Sequence, residues 1–95
     1  MPRLSEEEVR SAMAGLQGWE LSDGELVKTF KFPTFIDAIE FINRVAEVAE
    51  AANHHPDIWN HHNRVRLTLY TWSEGAVTQR DVALAREIES VASVV

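Results

Sequence analysis

The chain has 95 residues, 45% hydrophobic and 25% charged, which fits one thin-cored globular domain over 1–95 and excludes a disordered chain. A formal net charge of −6 works against sequence-independent nucleic-acid binding and against an anionic membrane surface, although Arg64, Arg66 and Arg80 leave room for a local basic patch. The absence of cysteine excludes disulfides, thiolate metal sites and a cysteine nucleophile. The start, Met1 to Glu8, turns acidic at once, and no segment approaches the ~20 apolar residues of a membrane span, so a cytoplasmic location is expected.

Ser5 with Glu8 makes a capping box, and Val9, Met13 and Leu16 follow at helical spacing. Glycines at 15 and 18 stop that helix. Trp19 to Ser22 and Glu25 to Phe32 read as strands joined by Asp23-Gly24, with Leu26, Phe30 and Phe32 on one face and Lys28 breaking the pattern. Pro33-Thr34 opens the longest helix, whose apolar stripe is read as Phe35, Ile39, Ile42, Ala46 and Ala49. Asn53 and Pro56 end it. Asp57 to Asn60 is a short strand and His61-His62-Asn63 a turn. Arg64 to Trp72 alternates, with Val65, Leu67 and Leu69 inward, as in a half-buried strand. Thr78 with Asp81 is a second capping box, opening a helix with Val82, Ala85, Ile88 and Val91 on its stripe. The order α-β-β-α-β-β-α predicts an α+β fold: a four-stranded antiparallel sheet with three helices on one face. The other face, or a sheet edge, is left for an oligomer contact.

Four histidines fall within nine positions: His54, His55, His61 and His62. Imidazole titrates nearest neutrality, so such a cluster suits proton transfer in both directions. The plainer reading is polar residues at helix and turn boundaries. A metal site is not expected, because adjacent side chains diverge and no Cys or His-x-x-x-His pair supports one. Glu50 stands four residues before His54 and would orient it if the helix reached that far; otherwise it is an ordinary surface acid. Asp81 reads first as a capping acid. Trp19 and Trp59 could stack on a flat heterocycle, though tryptophan is more often core.

Glu50-Ala51-Ala52-Asn53-His54-His55-Pro56-Asp57 resembles the acid-x-x-x-His-His-Pro signature of the pterin-4a-carbinolamine dehydratases. The similarity runs on through Asn63-Arg64-Val65 and Leu67-Thr68-Leu69 to Val77-Thr78-Gln79-Arg80-Asp81-Val82-Ala83-Leu84-Ala85. Gly18-Trp19 and Phe30-Lys31-Phe32 match upstream, so the resemblance covers nearly the whole chain. It implies the same α+β fold in homodimers or homotetramers. It also implies dehydration of a 4a-hydroxytetrahydropterin to a quinonoid dihydropterin, the recycling step for tetrahydrobiopterin, with a small-molecule pterin substrate and no metal or bound cofactor. Carried over by position, His54 and His55 are the active-site pair and Glu50 the acid before them. Arg80 and Asp81 lie by the pterin site, and Trp19 is a pocket tryptophan. The resemblance leaves open which histidine is acid and which base.

One position departs. Well-known members of this family carry a third histidine where this chain has Trp72, in Tyr70-Thr71-Trp72. Indole donates a hydrogen bond but does not shuttle protons. Trp72 could bind the pterin while two histidines do the chemistry, or His61 and His62 could compensate. The alternative function is a non-catalytic dimerisation or assembly-chaperone protein on the same scaffold. Trp72 favours that alternative, and the intact Glu50, His54, His55, Arg80 and Asp81 disfavour it.

Overall fold

A computed structural model describes residues 2–94. Its elements are α1 (Glu6–Ala12), β1 (Glu20–Ser22), β2 (Glu25–Lys31), α2 (Phe35–Ala52), β3 (Asp57–His61), β4 (Arg64–Leu69) and α3 (Gln79–Ala92). The strands form one antiparallel sheet in the order β1-β2-β4-β3, so the fold is α+β as the residue pattern predicts. No helix is long and apolar enough to cross a membrane among the described residues.

Local chemistry sets most boundaries. Both capping boxes form, at Ser5 with Glu8 and at Thr78 with Asp81. Asp23 and Gly24 both take positive φ (52° and 79°), as a two-residue turn requires to match the twist of the strands it joins. The β2–β4 register puts Leu26 opposite Leu69 and Phe30 opposite Val65 on the covered face. The alternation in β4 holds, with Val65, Leu67 and Leu69 buried, although the strand ends at Leu69 rather than Trp72. On the opposite face Trp59, Arg66 and Thr29 lie in one row and His61, Arg64 and Lys31 in the next, and all six are exposed.

Two packing details also differ from the pattern reading. First, α2 buries Ala38, Phe41, Val45 and Ala49, a fraction of a turn round from the expected stripe. Phe41 is the largest apolar side chain on the helix to be fully buried, and its ring lies 4.8 Å from those of both Phe30 and Phe32. Seating it turns Phe35 and Ile36 outward (45% and 70% exposed). Second, Lys28 does not spoil the covered face. Its stem crosses the edge of the core and its ammonium donates to Glu89 (2.7 Å) and to the Gln17 carbonyl (2.8 Å).

The end of α2 sets the direction of the two histidines that come after it. Asn53 takes the left-handed conformation (φ 49°), and the His54 amide donates back to the Ala49 carbonyl. Most side chains other than glycine, asparagine and aspartate are strained there. Asn53→Ala is therefore expected to cost about 1 kcal/mol while Asn53→Gly stays within about 0.5 kcal/mol of wild type, read by denaturant unfolding.

Candidate functional site

The left-handed turn at Asn53 separates two consecutive imidazoles. His54 swings inward and is 8% exposed, whereas His55 stays outside. Each meets a carboxylate through Nε2. His54 Nε2 lies 2.5 Å from Asp81 Oδ1, and His55 Nε2 lies 2.5 Å from Glu50 Oε1. Glu50 thus pairs with His55 and not with His54, because the helix ends before position 54 and the spacing of four no longer stacks the side chains.

The two pairs differ in surroundings. Glu50 and His55 are both exposed, so water competes for their contact. Asp81 has no exposure at all, and its carboxylate is satisfied by protein alone. Oδ2 accepts from the Thr78 amide (2.9 Å) and from the Thr71 hydroxyl (2.7 Å), leaving Oδ1 for His54. The capping role and the histidine contact belong to the same side chain. Arg80, one residue earlier, donates from Nη2 to the Asn53 carbonyl (2.6 Å) and ties the end of α2 to the start of α3.

A cleft of about 260 Å³ opens over this junction, walled by His54, His55, Arg80, Tyr70, Thr71 and Trp72. Trp72 is 73% exposed and rests edge-on against Tyr70, with ring centroids 4.8 Å apart. It rides on a short loop closed by reciprocal backbone bonds between Thr71 and Ala76. A second hollow of about 300 Å³ lies beyond His54 and Arg80, against Ala52, Ala83 and Leu84. The arrangement supplies two imidazoles, a cation and an exposed indole at one place, which suits acid–base chemistry on a flat polar molecule.

The structure brings His54, His55, Glu50, Trp72, Arg80 and Asp81 together, with Asp81 behind the wall and Glu50 beside it. It does not bring Trp19 there. Trp19 is a core residue, edge-on to Phe30, with its indole N–H donating to Glu89 (2.9 Å) near the far end of α3. Trp59 lies on the open sheet face beneath the Arg66 guanidinium (4.7 Å). His61 and His62 do not line the cleft: they sit at the far end of β3, about 13 Å of strand away, and His61 stacks on Trp59. They cannot replace a missing histidine in the same chain's cleft. Thr71 is the site residue that pattern reading passes over. The signal was present, since position 71 continues the inward series Val65, Leu67, Leu69 and a hydroxyl there needs a buried partner. Among the described residues no three His, Asp or Glu side chains gather as a metal-ligand set.

A small α+β domain with a histidine-lined cleft where two helix ends meet is the class that fold and site define. The chain belongs to the pterin 4 alpha carbinolamine dehydratase family, whose sequence profile matches residues 2–91. A relative from Thermomicrobium roseum, named "Putative pterin-4-alpha-carbinolamine dehydratase", is 46% identical over 93 residues, covering 98% of this chain and 100% of its own. One of the same name from Metallosphaera sedula is 44% identical over 95 residues, covering 100% and 99%. A crystal structure from Brucella melitensis, described as a transcriptional coactivator/pterin dehydratase, superposes with a TM-score of 0.90 at 39% identity over 95% of this chain and 98% of that one. A pterin dehydratase-like protein described as a RuBisCO assembly factor in the alpha-carboxysome shares the fold, with a TM-score of 0.70 at 21% identity over 81% and 92%.

The contrast between the two imidazole–carboxylate pairs sets a stability test. Asp81→Ala removes a cap and strands His54, Thr71 and Thr78, and is expected to cost about 3 kcal/mol in urea unfolding. Glu50→Gln is expected to change stability by less than about 1 kcal/mol.

Proposed function

We propose that this protein dehydrates a 4a-hydroxytetrahydropterin to the quinonoid dihydropterin, the recycling step for tetrahydrobiopterin. The observation that carries the reading is the pair of imidazoles, each held on a carboxylate, at one cleft with Arg80 and Trp72. Family membership and the names of its relatives point the same way. The reaction breaks the C4a–O bond. One imidazole gives a proton to the departing hydroxyl, which leaves as water, and a ring-nitrogen proton passes to a base. Each transfer contributes roughly 10² to 10⁴-fold. Trp72, exposed at the rim, offers a flat apolar face and one N–H donor to the pterin, in place of a third imidazole. Trp19, buried against Glu89, acts through stability and not by touching substrate.

We also propose that the chain works as a homodimer or homotetramer. The support is the outer side of α2, where Phe35 and Ile36 are exposed and Ile39 and Ile42 only partly covered. A second functional reading, a non-catalytic scaffold for another protein, is favoured by one residue, Trp72. The Brucella neighbour's description names both a coactivator and a dehydratase.

Loss of 4a-hydroxytetrahydropterin, followed by ultraviolet absorbance, separates the two. Wild type is expected to exceed the uncatalysed rate, with His54→Ala and His55→Ala each slower by roughly 10²-fold, and with His54→Ala alone also losing stability because Asp81 Oδ1 is left unpaired. Trp72→Ala is expected to raise KM more than it lowers kcat. Folded wild-type protein that gives no acceleration would reject the dehydratase and leave the scaffold.

A further inference from the structure

We infer that Thr71 is a positioning residue, which together with Thr78 fixes the Asp81 carboxylate and so holds His54 with its proton on Nε2 and the Nδ1 lone pair free for the cleft. The catalytic consequence rests on the dehydratase reading; the arrangement of protons does not.

Counting hydrogens fixes the direction of each bond. Thr71 Oγ1 lies 2.7 Å from Asp81 Oδ2 and 2.9 Å from Thr78 Oγ1. A carboxylate only accepts, so the single hydrogen of the Thr71 hydroxyl goes to Asp81. The contact between the two threonines then needs the Thr78 hydrogen, which goes to Thr71. Thr78 Oγ1 in turn accepts from the Arg80 amide (3.2 Å). One direction of donation satisfies every member.

Oδ2 therefore receives two donors, the Thr71 hydroxyl and the Thr78 amide, and the carboxylate cannot rotate without losing both. Oδ1 is left as an acceptor aimed at His54 Nε2. Nε2 must then carry hydrogen, and a neutral imidazole with hydrogen on Nε2 has its lone pair on Nδ1. His54 hydrogen-bonds through Nε2, and among the described residues no buried side-chain nitrogen or oxygen lacks a partner. Nδ1 is thus not sealed in the core; it opens on the surface that His54 shares between the cleft and the hollow beyond it. In the dehydration, Nδ1 accepts the ring-nitrogen proton, and the developing imidazolium is stabilised by the buried carboxylate behind it. His55 is left to protonate the departing hydroxyl.

Thr71 is fully enclosed (3% exposed), and it also anchors the loop that carries Trp72. Valine has nearly the same shape and would fill the position, so the test compares Thr71→Val with Thr71→Ser. Proteins labelled with ¹⁵N-histidine are followed across a pH series, with His54→Ala to assign the signals, and compared where His54 carries a single ring proton. Wild type and T71S are expected to show a protonated Nε2 and a bare Nδ1. T71V is expected to show mixed tautomers and to lose about 10-fold in kcat, the factor for one hydrogen bond to a charged group, with KM little changed. Wild-type protein with its His54 proton on Nδ1, or T71V with wild-type nitrogen shifts, would overturn the inference. Should T71V not fold, Thr71→Ala, which also lacks the hydroxyl, takes its place in the same comparison with T71S. Should wild type turn nothing over, the dehydratase reading fails while the nitrogen shifts still judge the brace.

Discussion

A carboxylate with no access to water must find all its partners in the protein, and Asp81 draws them from three separate stretches of chain. Thr78 comes from its own helix start, Thr71 from the loop after β4, and His54 from the turn after α2. Burying such a group costs several kcal/mol unless those stretches arrive together to bond it. The folding of three segments onto one buried acid is thereby the same event as the assembly of the cleft. Arg80 repeats the link from outside, binding the Asn53 carbonyl across the same junction.

The opposite end of α3 carries a lighter version of the arrangement. Glu89 accepts from the Trp19 indole and from Lys28, which in turn holds the Gln17 carbonyl. Both groups are partly exposed, so the fastening is weaker than the one at Asp81. Together the two ends pin α3 between the β1 hairpin and the α2 terminus.

Sequence periodicity was a good guide wherever one local rule decided the outcome. The two capping boxes, the Asp23-Gly24 turn and the alternation Val65-Leu67-Leu69 need only neighbours to be understood. It misled where tertiary packing chose between near-equal options. Helix α2 offers apolar residues around much of its circumference, and the bulk of Phe41 against Phe30 and Phe32 settled which side faced in. The histidine pair was legible as a motif, but its partners were not. A single left-handed residue, Asn53, moved Glu50 from His54 to His55, and no spacing rule for helices extends past a helix end. His61 and His62 were close in sequence to the pair and were carried off along β3.

The double use of Asp81 has a consequence for comparing chains of this fold. The side chain caps a helix and satisfies two threonines whether or not any reaction occurs, so a lineage that abandoned the chemistry would still be selected to keep it. His55 and Trp72, which stand in the open and hold nothing else up, are free to drift once activity is no longer required. The exposed rim of the cleft, more than its buried floor, is where a record of lost or altered function would be written.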